Sequence, residues 1–133
     1  MREAELKKVK ELVHKFPQIK LGYFFGSRAS GTSGPMSDYD FAFYIEEKDQ
    51  KKIIDIQSML ISNISLILKT DAVDVSVLNL IKNPDLAYNI ISTGILFYDV
   101  EPYRIMAEPK IMNLYFDFKK EREKNTLTRT KNE

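Results

Sequence analysis

Phe25-Gly26-Ser27-Arg28-Ala29-Ser30-Gly31-Thr32-Ser33-Gly34-Pro35-Met36-Ser37-Asp38-Tyr39-Asp40 is the stretch that decides how this 133-residue chain folds. It opens with Gly-Ser directly after an apolar run, crosses a loop rich in Gly and Ser, and closes on two carboxylates one residue apart. Ile19 to Phe25, with Leu21, Tyr23, Phe24 and Phe25, reads as a strand. Tyr39 to Ile45 is dense in β-formers and reads as the next one. Between them a short helical turn begins near Ser27, and Gly31 to Pro35 make a loop. Because side chains alternate along a strand, Asp38, Asp40, Ala42 and Tyr44 share one face, while Tyr39, Phe41, Phe43 and Ile45 share the other. The second face is apolar enough to pack under helices.

This pattern points to phosphate and metal chemistry. Asp38 and Asp40 stand at i and i+2, with Cα atoms roughly 6.5 Å apart. Their like charges repel unless a cation lies between them. Hard divalent ions take such oxygen ligands, and Mg²⁺ commonly uses one or two carboxylates plus substrate phosphate. Two ions about 4 Å apart would need bridging carboxylates. Gly26 lets backbone approach a phosphate closely, and Ser27 offers a hydroxyl and an N–H at a helix start. Each piece alone is commonplace, since a Gly-Ser pair is usually a turn and an Asp-x-Asp usually solvated. Their combination between two strands is not.

The remaining elements follow outward. Arg2 to Phe16 carries apolar residues at helical spacing (Leu6, Val9, Leu12, Val13, Phe16) and stops at Pro17. His14, the sole histidine, projects from this helix as a surface residue, and a multi-histidine zinc site is excluded. Ile53 to Ile64 forms a second helix that ends somewhere in Ser65 to Lys69, where Ser65-Leu66-Ile67-Leu68 also suits extended chain. Val73 to Leu78 alternates as a third strand, placing Asp74 and Ser76 opposite three valines and making Asp74 a candidate third acid. Asn83-Pro84-Asp85 starts a helix that ends at Gly94, and Ile95 to Tyr98 is a fourth strand. Pro102 opens a last helix that Pro109 is expected to kink, with Leu114, Tyr115, Phe116 and Phe118 as late apolar positions. The expected organisation is one domain over 1–124 and a polar, frayed tail over 125–133. The fold class is α+β, a small mixed sheet of four to five strands flanked by helices.

Composition excludes several classes. Twenty Lys and Arg against nineteen Asp and Glu give a net charge of +1, so no bulk attraction to nucleic acid or membrane arises. The absence of cysteine removes disulfides and thiolate metal sites. Met1 to Phe16 lacks a signal-peptide core and no apolar run reaches membrane length, so the cytoplasm is the expected location.

Gly26-Ser27, ten residues, then Asp38-x-Asp40, with Arg28-Ala29-Ser30-Gly31 and Ser37 inside the loop, resembles the signature of the polymerase-β-like nucleotidyltransferase superfamily. Val73 to Asn79 resembles the strand carrying that superfamily's third carboxylate, so the likeness covers roughly residues 19 to 80. The short chain and its closing segment, Tyr103-Arg104 through Asn113 to Phe118, are similar to the MntA-type antitoxins among the minimal nucleotidyltransferases. This resemblance implies ATP and Mg²⁺, two ions, as cofactor and substrate, and transfer of AMP to a tyrosine of a partner HEPN-domain ribonuclease toxin. It implies that Gly26 and Ser27 hold the triphosphate, that Asp38 and Asp40 ligate both ions, and that Asp74 ligates the catalytic ion and helps deprotonate the attacking hydroxyl. Arg28 is left between phosphate contact and solvent, and Ser37 caps the turn before the acids. Neither membrane nor direct nucleic-acid binding is expected.

Two other readings stay open at this level: an antitoxin that neutralises by stoichiometric contact, and a small-molecule transferase of the aminoglycoside type. The latter generally carries a further acceptor-binding region, for which little chain follows the fourth strand. The late apolar cluster suits a docking surface, packing on its own domain, or homodimerisation.

Overall fold

The computed structural model describes residues 1–132 except Ser33, Pro35 and Met36, with side chains through Asn125. The loop expected at Ser33, Pro35 and Met36, and the side chains of the expected polar tail beyond Asn125, lie outside the described residues. The elements are α1 (Glu3–His14), β1 (Ile19–Phe25), α2 (Ser27–Ser30), β2 (Tyr39–Ile45), α3 (Gln50–Leu68), β3 (Val73–Val77), α4 (Pro84–Thr93), β4 (Ile95–Asp99) and α5 (Tyr103–Asn132). They build an α+β domain on one four-stranded mixed sheet of order β3-β2-β1-β4. β1 runs antiparallel to both β2 and β4, and β2 and β3 are parallel.

The aromatic parity of β2 places the larger core. Phe41, Phe43 and Ile45 are buried with Val75, Val77 and Phe97, under Val9 and Val13 of α1 and Ile53, Ile56, Leu60, Ile64 and Leu68 of α3. The α3 positions fall three or four apart, so one stripe of a long helix meets the sheet. Phe97 sets its edge against Phe41 and Phe43, each at 5.9 Å and near 90°, the T-shaped arrangement that ring quadrupoles favour. Each fully buried side chain here contributes about 1.5–3 kcal/mol relative to exposure.

The opposite face corrects the simple picture of a polar side. Leu21, Tyr23, Phe25 and Ala42 pack there with Leu78, Ile90 of α4 and Ala107 of α5 as a second core. Helices therefore cover both faces, and the acids emerge at one end of the sheet. A register irregularity between Ile19 and Leu21 lets Ile19 join the first core although Leu21 joins the second. Tyr23, 1% exposed, donates its hydroxyl to Glu108 Oε1 at 2.7 Å and ties α5 to β1. Arg104 in turn bonds Glu108 at 3.0 Å.

Three local outcomes differ from, or decide between, the expectations. Ser65 to Leu68 is helical, since Leu68 is buried in line with Ile64, and Lys69 closes α3 in a left-handed conformation. The third strand stops at Val77, and Leu78–Leu80 forms a 3₁₀ turn. Of the late apolar residues on α5, Tyr115 stacks on Tyr88 of α4 at 4.0 Å, whereas Leu114, Phe116 and Phe118 are exposed. The start signal at Asn83 holds, and α3 begins at Gln50, three residues before Ile53. Asp49 caps α3, and Asn83 caps α4 by accepting from the Asp85 N–H at 3.0 Å. Pro109 lies inside α5, and His14 is exposed at the end of α1.

The 3₁₀ turn has its own anchor. Asn79 accepts from the Ile45 N–H at 3.0 Å and donates to the Ile45 carbonyl at 2.9 Å, so its amide prolongs the edge of β2 as another peptide would. Asn79→Ala is expected to cost about 1–3 kcal/mol by leaving both groups unpaired. A melt should read this as a fall of about 4 °C per kcal/mol. The corner around Asp40 should be undisturbed, because Ile45 lies at the other end of β2.

Candidate active site

The sheet brings the predicted residues to one end. Phe25, the last residue of β1, pairs with Asp40, and Asp40 pairs in parallel register with Asp74. Adjacent strands lie about 4.8 Å apart, so these two acids emerge side by side from neighbouring strands. Asp38 precedes β2 by one residue and is exposed, as is Asp74, while Asp40 is half-buried. Tyr39, between the two acids, turns to the face covered by α3 and joins the first core, as parity requires.

Gly26 completes the corner. Its φ of 82° and ψ of −167° occupy a region essentially closed to other residues, and a Cβ there would run into Asp40 Oδ2. The bare backbone of Gly26 thus lies directly against the Asp40 carboxylate. The chain then turns into α2, where Ala29 and Ser30 donate to the Gly26 carbonyl at 3.2 and 3.1 Å. At four residues, α2 has little dipole of its own. What it offers is local, because the first N–H groups of a helical turn have no partner within it. Ser27 begins the turn, and its carbonyl accepts from the Ser30 hydroxyl and the Thr32 N–H. Ser37 closes the loop as expected, its hydroxyl accepting from the Gly34 N–H at 3.1 Å.

The electrostatics follow from this placement. Burial pushes the Asp40 carboxyl above its ordinary value, and the neighbouring Asp74 and Asp38 push it in the same direction. A half-buried acid flanked by two like charges gains from a cation. Among the described residues no three of His, Cys, Asp or Glu converge tightly enough to hold an ion unaided. The donor set still suits Mg²⁺, which keeps several waters and takes one or two carboxylates beside phosphate oxygens. The hard oxygen donors fit that ion and the chain contains no thiolate to favour a softer one.

Arg28 does something that reading along the chain missed. Its Nε donates to the Ser37 carbonyl at 2.8 Å, and its guanidinium lies 4.2 Å over the Tyr39 ring. The only hint in the sequence is an aromatic residue between two acids, eleven positions after an arginine. A cleft of about 250 Å³ lies elsewhere on the second face, among Tyr44, Leu78, Ala87, Tyr103, Ala107 and Ile111. None of the three acids lines it. Tyr44 stands four residues along β2 from Asp40, roughly 13 Å away.

The family model for the polymerase beta, nucleotidyltransferase domain matches residues 7–103, nearly three quarters of the chain. The chain belongs to this family. The matched span holds the Gly-Ser turn and all three acids, from α1 to the first residue of α5. No curated protein sequence matches the nucleotidyltransferase significantly. Solved structures do match it in fold. A toxin–antitoxin structure with AMP-PNP aligns at TM-score 0.73 and 21% identity, over 98% of this chain and 99% of the other. A tri-AMPylated HEPN toxin of Shewanella oneidensis in complex with MNT antitoxin aligns at 0.71 and 19%, over 98% and 99%. A MntA–HepT toxin–antitoxin structure aligns at 0.71 and 18%, over 97% and 99%. At these identities the likeness shows the nucleotidyltransferase fold across the whole chain. Among the described residues no helix is long and apolar enough to cross a membrane.

Proposed function

We propose that this nucleotidyltransferase is a Mg²⁺-dependent protein adenylyltransferase of the MntA type, which transfers AMP from ATP to a tyrosine of a HEPN-domain ribonuclease toxin and so silences it. The observation that carries the proposal is the corner where Gly26 backbone, Asp40 and Asp74 meet. A corner of this kind seats a triphosphate against a cluster of acids. The neighbours with AMP-PNP and with an AMPylated HEPN toxin support the choice of nucleotide and acceptor.

Gly26 and Ser27 present backbone N–H groups and a hydroxyl to the phosphates, with no side chain at Gly26 to hold them off. Asp38 and Asp40 would hold two Mg²⁺ ions, and Asp74 would be a further ligand of the catalytic one. When bound, the ions supply charge neutralisation for the phosphates and for the leaving pyrophosphate. Asp74, exposed at the rim of the site, takes the proton of the incoming tyrosine hydroxyl. The phenol oxygen forms its bond to the α-phosphorus as the bond to the pyrophosphate breaks, in line. Desolvation and like charges around Asp40 keep that carboxylate a strong attractor for cations.

The double variant Asp38→Asn/Asp40→Asn tests this reading. With ATP and Mg²⁺, the unmodified chain should suppress the nuclease activity of its HEPN partner, and the variant should leave it active. Full suppression by the variant would make neutralisation a matter of contact alone.

A further inference from the structure

We propose that Arg28 is a positioning residue whose guanidinium brackets Asp38 and fixes that acid relative to the Gly26-Ser27 turn; the proposal rests on the nucleotidyltransferase reading above. Arg28 belongs to α2, directly after the turn, and is half-buried. Its Nε donates to the carbonyl of Ser37, the residue before Asp38, at 2.8 Å. The guanidinium carbon lies over the ring of Tyr39, the residue after Asp38, 4.2 Å from its centroid.

Both flanks are themselves held. The Ser37 N–H donates to the Gly34 carbonyl at 3.2 Å, and the Ser37 hydroxyl accepts from the Gly34 N–H at 3.1 Å. The Tyr39 N–H donates to Ala72 at 2.8 Å, and the Tyr39 ring stacks on buried Phe24 at 6.3 Å. A continuous line of contacts thus runs from the core through Phe24, Tyr39 and Arg28 to Ser37. Asp38 sits at its centre, exposed, with no hydrogen bond to its carboxylate among the described residues. By holding the residues on either side of this acid, the bracket restricts the conformations open to it. One side chain therefore links the phosphate-facing turn to a metal-facing acid across nine residues.

The chemistry calls for Arg in particular. A planar guanidinium stacks on a ring while one edge donates to a carbonyl, and an ammonium on a flexible stem does neither in a fixed geometry. Arg28→Lys keeps the charge and removes the bracket. Mn²⁺ affinity of the nucleotide-free protein, read by electron paramagnetic resonance titration, is expected to fall about tenfold, as for other groups that orient metal ligands. The kcat for adenylyl transfer should fall by a similar factor while KM for ATP stays within about twofold, the pattern of a mispositioned catalytic group. Tyr39→Leu should reproduce the loss and Tyr39→Phe should not, which keeps the test open if one variant folds poorly. A higher KM with kcat and Mn²⁺ affinity unchanged would make Arg28 a phosphate ligand and overturn the bracket. Wild-type values throughout in Arg28→Lys would overturn it too. Weaker Mn²⁺ binding by the variant, in a protein whose wild type transfers no nucleotide, would uphold the bracket and overturn the transfer reading. A wild type that binds no Mn²⁺ would overturn both.

Discussion

Asp40→Asn is expected to reduce nucleotidyl transfer by about 10²–10³-fold, the several kcal/mol that metal-borne charge stabilisation supplies, while the metal-free protein unfolds at the same temperature or higher. Activity and stability are expected to part because the position proposed for metal binding is unfavourable for a bare carboxylate in the fold. It is half-buried beside Asp74 in register and near Asp38, and its carboxyl is held above the ordinary value of 3.8 by burial first and the two acids second. The folded state therefore binds the proton more tightly than the unfolded chain. Stability from this group is greatest in acid and declines as pH rises from about 3.8 through the raised folded value. Asn removes that slope. Melts in chelator across this window should show wild type losing ground with rising pH relative to the variant. Adding Mg²⁺ should reverse the order, since an ion that binds only the native wild type raises its midpoint by mass action. A variant that is both inactive and strongly destabilised in chelator would mean that Asp40 holds the fold together.

Gly26→Ala should be nearly as damaging to transfer and, unlike Asp40→Asn, should destabilise as well. Alanine at φ 82° and ψ −167° is strained by about 1–3 kcal/mol, and its Cβ meets the Asp40 carboxylate. The acid must move or the turn must open, and either change separates the Gly26 backbone from the Asp40 carboxylate, the pair proposed to face phosphate and metal. A melting temperature lower by about 4 °C per kcal/mol and a large loss of kcat are the expected results. Gly31 supplies the control. It also has positive φ, 79°, but a Cβ there meets nothing within 4 Å. Gly31→Asn, a residue that tolerates the left-handed conformation, should melt within about 1 kcal/mol of wild type and keep its activity. Equal losses in both variants would assign the effect to loop conformation rather than to the contact with Asp40.

The parts of the molecule legible in the sequence are those set by local pattern. β1 and β2 begin and end where their composition changes, and the apolar parity of Tyr39, Phe41, Phe43 and Ile45 sends those side chains to α1 and α3. The same parity puts Asp40 and Asp74 on one face, and the parallel register sets them side by side. What could not be read depends on contacts between distant segments. Ala42 and Tyr44 continue the face of Asp40, yet Ile90 and Ala107 arrive from α4 and α5 to turn that face into a second core. Ser65 to Leu68 has a composition that suits strand or helix, and only the place of Leu68 beneath the sheet decides it. Asn79 looks like a polar residue ending a strand, and its clasp on Ile45 across 34 positions leaves no trace in spacing. Arg28 likewise shows its role only once Ser37 and Tyr39 fold back over it.

The proposed activity is transfer of a nucleotide to another protein by the Gly26-Ser27 turn and the three acids. Its most direct test is intact-mass measurement after the purified chain is incubated with Mg²⁺, a HEPN-domain partner and each nucleoside triphosphate in turn. With ATP the partner is expected to gain AMP on tyrosine, and with Asp38→Asn/Asp40→Asn it is expected to gain none. No mass gain on the partner with any of the triphosphates would contradict the proposal.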